Sequence, residues 1–142
     1  MLNSEADARR GDQASAFLLI DHGSRRAEAN ALLDEVASLV RAQLGPEAVV
    51  EVAHMEIAEP TIAQGFARCV ERGAIAIVVH PFMLAPGRHV SEDLPRLLAQ
   101  AAASHDGVRF VMSDPLGSHS GVIDAVIERC RAALRDREPN TP

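Results

Sequence analysis

The run AIAIVV at residues 74–79 is the strongest strand signal in the chain. It is rich in Ile and Val, which favour strands. Shorter apolar or alternating runs at residues 16–20, 49–53 and 108–112 predict three more strands, and the continuous run at 16–20 is typical of a strand that is buried on both faces. The segments between them space their apolar residues by three and four, which is typical of helices. Four β-α units with short connections predict an α/β fold with a mainly parallel sheet.

The helix boundaries are predicted from local signals. Pro60 is expected at the first position of the second helix, where its missing N–H costs little. Ser91 is expected to cap the third helix, which leaves His89 at the end of a loop. The last helix carries an apolar stripe that we expect to be buried, with Cys130 as part of it. That stripe consists of Val122, Ile123, Val126, Ile127 and Cys130.

Length and composition limit the classes of protein. The 142 residues predict a flexible leader at 1–15, a single α/β domain at 16–135 and a flexible tail at 136–142. A net charge of −6 and an aromatic content of 3% argue against nucleic-acid binding. No apolar run approaches the roughly 18 residues that span a bilayer, so no membrane partner is expected. The first 15 residues lack the features of a signal peptide or transit peptide, so we expect a cytoplasmic protein.

Five of the six histidines lie at or after a predicted strand end. Because the carboxyl ends of parallel strands share one edge of the sheet, these side chains can converge there. A neutral imidazole is a good ligand for first-row divalent metals, and the nearby Glu56 adds a charge and a proton acceptor. The sequence therefore predicts a metal site at this edge, drawn from His22, His54, His80, His89 and His119.

Each candidate also has a structural explanation. His54 and His80 fit ordinary histidines at the border of a core, and His119 fits the chemistry of a turn. Arg25, Arg26 and Arg88 flank two of the histidines and suit a substrate with several carboxylates, although solvated surface arginines are equally common. The phosphate-binding loops GxxxxGK[ST] and GxGxxG and the GxSxG nucleophile elbow do not occur in the sequence.

Four strings carry a family resemblance: HGSR (22–25), AHMEIAEP (53–60), PFMLAPGRH (81–89) and PLG (115–117). In this order and spacing they resemble the short sirohydrochlorin chelatases of the CbiX/SirB type, over residues 17–131. The resemblance implies a flavodoxin-like, three-layer αβα domain with a four-stranded sheet. It also implies ATP-independent insertion of a divalent metal ion into sirohydrochlorin, in siroheme or cobalamin biosynthesis. The ion (Fe²⁺, Co²⁺ or Ni²⁺) is then a substrate, and the sequence leaves its identity open.

The same resemblance implies roles for individual residues. His22, Glu56 and His89 match the family's metal-binding and catalytic positions, whereas His54 and His80 match positions that vary and are additional candidates only. The arginines at 25, 26 and 88 would then bind the acetate and propionate groups of sirohydrochlorin. No permanently bound cofactor is expected, and no iron–sulfur cluster, because the chain carries no cysteine-rich tail. Short family members pair as homodimers, and we expect the pair to bury the apolar loop at residues 82–84.

Two other functions stay open at this point. A non-catalytic nickel or cobalt carrier could use the same ligands but would need neither the space nor the arginine cluster that a macrocycle requires. A histidine phosphatase also places a His-Gly turn after its first strand, but such enzymes have Arg directly before the histidine. This chain has Asp21 there, which would repel a phosphate, so the phosphatase is the weaker alternative.

Overall fold

The computed structural model describes residues 15–137, in which four strands alternate with four helices. The elements are β1 (Ser15–Asp21), α1 (Ala27–Leu44), β2 (Val49–His54), α2 (Ile62–Glu71), β3 (Ala76–Pro81), α3 (Arg88–Ala102), β4 (Arg109–Met112) and α4 (Ser120–Arg135). The strands form one sheet in the order β2-β1-β3-β4, and every neighbouring pair is parallel. This confirms the predicted α/β fold. Residues 1–14 of the predicted leader and 138–142 of the predicted tail lie outside the described residues.

Two apolar clusters, one on each face of the sheet, form the core. Leu18 and Ile20 of β1 belong to the larger cluster, together with Phe66 of α2 and Leu94 and Leu98 of α3. Leu19 of the same strand packs with Leu33 and Ala37 of α1 on the opposite face. The central strand is therefore buried on both sides, which explains its continuous apolar run.

The second and third helices begin elsewhere than predicted. Thr61 caps α2 in a reciprocal capping box with Gln64, so Pro60 precedes the cap instead of opening the helix. The third helix begins at Arg88, about one turn before the predicted cap at Ser91. The amide of Ser91 donates to the carbonyl of Gly87 at 3.0 Å, which places Ser91 inside the helix. As a result His89 lies in the first turn of α3, not in a loop.

The two cysteines differ in their surroundings. Cys69 is buried in α2, as predicted. The pKa of its thiol is raised to about 12, and burial is the largest cause. Cys130 is exposed, so its predicted burial is wrong. The physical reason is that α4 contains no buried residue at all. Within residues 15–137, no helix is long and apolar enough to cross a membrane.

Candidate functional site

The carboxyl ends of the four parallel strands meet at one edge of the sheet, as the sequence predicts. His22 directly follows β1, and the loops at residues 55–60, 82–87 and 113–119 follow β2, β3 and β4. Ligands of α/β folds bind in the crevice beyond this edge. The candidate site is therefore built from these four segments and from the first turn of α3.

His22 and Glu56 are held beside each other by the backbone. The pairing of β1 with β2 continues past the strand ends, because the amide of Met55 donates to the carbonyl of Asp21 at 3.0 Å. The amide of Glu56 likewise donates to the carbonyl of His22 at 3.1 Å. Both side chains are exposed. An imidazole and a carboxylate thus stand on adjacent, hydrogen-bonded backbone segments and are free to meet a ligand from solvent.

Gly23 makes this close approach possible. Its φ is +88°, in the region that L side chains rarely adopt. A Cβ atom at this position would lie 1.9 Å from the carbonyl oxygen of Glu56. No residue with a side chain fits between the two segments without moving one of them.

A buried side-chain pair, Asp21 and His54, also stabilises the turn that carries His22. The Nδ1 atom of His54 lies 2.5 Å from Oδ1 of Asp21, and the His54 residue is only 2% exposed. The same carboxylate oxygen accepts the amide of Gly23 at 3.0 Å. His54 therefore has a structural partner and lies below the surface that a ligand would reach. Asp21, which sequence reasoning considered only as a negative neighbour, anchors the turn that carries His22.

Ile57 has a strained backbone next to Glu56. Its φ is +74°, and the amide of Ala58 donates to the carbonyl of Glu56 at 2.8 Å, which defines a γ-turn centred on Ile57. Positive φ is costly for a β-branched residue, and such strain concentrates at functional sites. Ile57 is also 63% exposed. Sequence reasoning missed this residue, because nothing in the local string signals a positive φ at an isoleucine.

His89 and the three arginines are exposed around the crevice. The Nε2 atom of His89 lies 3.0 Å from Oδ2 of Asp93, one helical turn later, and its side chain is 78% exposed. Arg88 pairs with Glu92 at 3.1 Å along the same helix. Arg25 and Arg26 are exposed just before α1. His89 and Arg88 each form one surface ion pair along α3. Within residues 15–137, the side chains of Arg25 and Arg26 form no ion pair.

The other histidines have structural partners. The Nδ1 atom of His80 lies 2.8 Å from the hydroxyl of Ser113, and burial lowers the pKa of this half-buried imidazole. His119 caps α4, where its Nδ1 accepts the amide of Gly121 at 2.9 Å, so the turn explanation holds. His105 follows α3, and its ring stacks on Phe66.

No three His, Cys, Asp or Glu side chains of residues 15–137 are grouped so that they could hold one ion. The backbone brings the His22 and Glu56 segments together, whereas His89 lies on a separate element, in the first turn of α3. In the loop after β3, Phe82 and Met83 are half-buried against the core, so only Leu84, 60% exposed, is available to a partner as predicted.

Comparisons with known proteins place these features in one family. The model of the CbiX family matches residues 16–133. The chain is 42% identical to a chloroplastic sirohydrochlorin ferrochelatase of Arabidopsis thaliana, over 85% of this chain and 53% of that protein. It is 31% identical to a sirohydrochlorin cobaltochelatase of Methanocaldococcus jannaschii, over 80% of this chain and 96% of that protein.

A solved structure agrees with the fold. The sirohydrochlorin chelatase SirB from Bacillus subtilis subspecies spizizenii, in complex with cobalt, superimposes with a TM-score of 0.74 and 32% identity. The match covers 83% of this chain and 50% of that one. The chain therefore spans about half the length of the plant and Bacillus proteins and nearly all of the methanogen protein.

Proposed function

The chain belongs to the CbiX family, and we propose that it inserts a divalent metal ion, Fe²⁺ or Co²⁺, into sirohydrochlorin without ATP. The observation that carries this proposal is the exposed His22–Glu56 pair, which the backbone holds at the carboxyl edge of the sheet. The curated relatives with this fold are named for iron or cobalt insertion into that macrocycle. Both ions suit a site of imidazole and carboxylate ligands, so the choice between them is left to the test.

The proposed reaction exchanges one metal ion for two protons. The ion enters the macrocycle, bonds form to its nitrogens, and two pyrrole N–H protons leave. Neutral imidazoles of His22 and His89 hold the ion while open coordination positions remain, and the Glu56 carboxylate both coordinates and accepts protons. Since the ion is a substrate and has to leave, a ligand set that is exposed and only partly assembled fits this task better than a closed cage.

Charged and apolar groups around the pair fit the rest of the substrate. Sirohydrochlorin carries acetate and propionate groups, which guanidinium groups bind in bidentate fashion. Arg25, Arg26 and Arg88 are exposed near the two histidines and supply such groups. Ile57 and Leu84 present apolar surface at the same edge, where the flat face of a macrocycle can pack. His54 and His80 keep their structural partners in this proposal.

Assembly and setting complete the proposal. We propose that the chain works as a homodimer, without a resident cofactor or iron–sulfur cluster, and that it acts in the cytoplasm without nucleic-acid or membrane partners. Exposed apolar side chains on α4 and β4 support pairing, and the two cysteines are unpaired. A protein that only carries nickel or cobalt would need the same ligands. That function would explain neither the three exposed arginines nor the exposed Ile57.

The deciding experiment follows absorbance as protein, sirohydrochlorin and Fe²⁺ or Co²⁺ are mixed. The wild type should turn over many equivalents, whereas a carrier binds metal stoichiometrically and leaves the macrocycle spectrum unchanged. His22→Ala and His89→Ala should each abolish insertion, and Glu56→Gln should keep part of the metal binding but slow insertion. Near-full activity in both histidine variants would refute the assignment of the site.

The acid limb of the rate profile gives an independent check. Protons compete with the metal for imidazole nitrogens. Because two imidazoles have to be neutral, the initial rate at saturating metal should fall on the acid side with a slope steeper than one proton. A flat profile between about pH 5.5 and 8 would contradict the proposed ligands.

A further inference from the structure

The loop at residues 22–26 joins β1 to α1 and carries a proposed ligand at one end and two arginines at the other. Its first half is held by the β2 side, because the amide of Glu56 donates to the carbonyl of His22. Its second half lies beyond that pairing and has hydrogen bonds of its own. Those bonds fix the backbone that carries Arg25 and Arg26.

Asn30, the fourth residue of α1, bonds to both backbone groups of Ser24. The amide of Ser24 donates to Oδ1 of Asn30 at 2.9 Å, and Nδ2 of Asn30 donates to the carbonyl of Ser24 at 2.7 Å. Both bonds are partly buried. Because the two bonds act together, they fix the orientation of the Ser24 backbone as well as its distance from the helix.

The chemistry of asparagine matches this backbone. The N–H group of a residue needs an acceptor and its carbonyl needs a donor, and the asparagine side chain supplies one of each. Aspartate has acceptors only, so one of its oxygens would face the carbonyl oxygen of Ser24. Leucine has a similar shape but neither group. The half-buried Asn30 therefore has a bonding role that packing alone does not explain.

The side chain of Ser24 extends this anchor to Arg26. The hydroxyl of Ser24 accepts the amide of Arg26 at 3.0 Å, and the carbonyl of Arg26 accepts the amides of Ala29 and Asn30 as α1 begins. Arg25, between these two bonded residues, forms no hydrogen bond within residues 15–137. Arg25 is therefore at the apex of a short loop whose flanking residues are both bonded to the start of α1.

Arginine is a poor choice for this position on local grounds. Arg26 is the N-cap of α1 and forms no side-chain cap, whereas Ser, Thr, Asp and Asn are the residues that cap well. Arg25 and Arg26 also place two adjacent cations at the positive end of the helix, where anions are favoured. Local preferences are broken most often at functional sites, and two uncompensated guanidinium groups suit an anionic ligand.

We infer that Asn30 is a positioning residue for substrate binding, which holds the loop so that Arg25 and Arg26 meet the carboxylates of the macrocycle. This inference rests on the proposed function. Asn30 acts through the arginines by removing freedom that the loop would otherwise lose on binding, so that their contacts contribute more fully to affinity. Because His22 is held separately by the β2 side, Asn30 should matter for the macrocycle and not for the metal ion.

The first test measures the binding of sirohydrochlorin and of Co²⁺ separately. Asn30→Leu removes both bonds and nearly keeps the shape of the side chain. The macrocycle Kd, measured by absorbance without metal, should rise about tenfold. The Co²⁺ Kd, measured without macrocycle, should stay unchanged. In turnover the KM for sirohydrochlorin should rise while kcat changes little, as expected when binding is lost equally from the ground state and the transition state.

Gln43→Leu is the matched control. It also replaces an amide by an isobutyl group, about 20 Å further along α1. Gln43 is exposed, and its side chain forms no hydrogen bond within the described part of the chain. Both Kd values should therefore match those of the wild type. An equal rise of the macrocycle Kd in the two variants would show that the bonds to Ser24 are not the cause, and would overturn the inference.

Removal of the arginines tests whether Asn30 acts through them. In a chain with Arg25→Gln and Arg26→Gln the macrocycle Kd should already be raised, because both guanidinium groups are lost. Adding Asn30→Leu to that chain should have no further effect, since residues that act as one unit are not additive. A further tenfold loss in that background, or a wild-type macrocycle Kd in Asn30→Leu alone, would overturn the inference.

Amide hydrogen exchange reports on the loop without any ligand. The amide of Ser24 should exchange at least about tenfold faster in Asn30→Leu, whereas the amide of Glu56 should keep its wild-type rate. Ser24→Ala is a milder second variant that loses only the bond to the amide of Arg26. It should raise the macrocycle Kd about threefold, so the role of the loop stays testable if Asn30→Leu folds poorly. An unchanged Ser24 exchange rate in a folded Asn30→Leu would contradict the anchor.

These outcomes distinguish the role of Asn30 from the proposed function. A wild type that binds sirohydrochlorin more tightly than Asn30→Leu does, but inserts no metal, would contradict the proposed function and leave the role of Asn30 standing. A wild type that inserts metal, with an unchanged macrocycle Kd in Asn30→Leu, would overturn the role of Asn30 alone. A wild type that binds no sirohydrochlorin would overturn both.

Discussion

The two halves of the carboxyl edge are built differently. At the ends of β1 and β2, backbone hydrogen bonds, Gly23 and the buried Asp21–His54 pair hold His22 against Glu56. Beyond β3, in the first turn of α3, His89 is held by one surface ion pair with Asp93. The difference indicates one preorganised half, which carries two of the ligands proposed above in fixed register, and one open half, which carries the third proposed ligand. A metal that is delivered to a macrocycle needs both, since it has to be held and then released.

Gly23→Ala should break the preorganised half most severely. The new Cβ would lie 1.9 Å from the carbonyl oxygen of Glu56, at a φ of +88°. We expect a loss of about 3 kcal/mol or more in the free energy of unfolding, together with loss of chelation. Urea denaturation measures the first and macrocycle absorbance the second.

Gly73→Ala is the matched control for that substitution. Gly73 has a φ of +99°, but an added Cβ would meet nothing within 4 Å. Only the conformational cost of about 1–2 kcal/mol should appear, and chelation should persist. Equal losses for the two variants would show that contact between the His22 turn and the Glu56 loop is unimportant.

His54→Ala and His89→Ala should separate stability from activity. Removal of His54 leaves the part-buried Asp21 carboxylate with the amide of Gly23 but without its imidazole partner, so the free energy of unfolding should fall by about 2 kcal/mol. His89 is exposed, and its removal should cost less than about 0.5 kcal/mol while abolishing insertion. If His54→Ala were as stable as the wild type, the buried pair would not be what fixes this half of the edge.

Local signals predict this fold well where burial dictates the residue types. The four strands follow from apolar runs, because β1 is buried on both faces and β3 is fully buried on one. The start of α3 is missed because Ser91 has the chemistry of a cap, yet the backbone of Gly87 already begins the helix. The exposure of Cys130 is missed for another reason, because an apolar stripe at helical spacing does not show that the helix packs on its own domain.

The site is predictable by residue type but not by geometry. The position of His22 and Glu56 at one edge follows from the parallel topology. The burial of His54 against Asp21 does not follow from the sequence. A histidine at a strand end produces the same sequence pattern whether its side chain faces the core or the crevice. The positive φ of Ile57 is equally invisible, because it arises from the path by which residues 55–60 return to Thr61.

Ile57→Asn should separate the effect of backbone strain at residue 57 on stability from the effect of the exposed side chain on chelation. Asparagine tolerates positive φ far better than isoleucine, so the free energy of unfolding should rise by about 1 kcal/mol. Chelation should slow, because an exposed apolar side chain beside Glu56 is lost. Ile57→Val, which keeps branching and strain, is the control and should resemble the wild type in both measurements. A stabilised variant with full activity would show that the strain has no part in function.

We expect the smallest effect on stability from His80 of β3. The Nδ1 atom of His80 lies 2.8 Å from the hydroxyl of Ser113, in the loop after β4. Burial lowers the pKa of this imidazole below the ordinary value of about 6.5 that it has in the unfolded chain. Between these two values the unfolded chain binds more protons than the folded one, so stability falls as the pH drops through this range. Urea denaturation at pH 7.5 and 5.5 should show a smaller acid loss for His80→Asn than for the wild type. Ser113→Ala keeps the imidazole and should retain the wild-type pH dependence, whereas an unchanged acid loss in His80→Asn would mean that His80 stays charged or solvated in the fold.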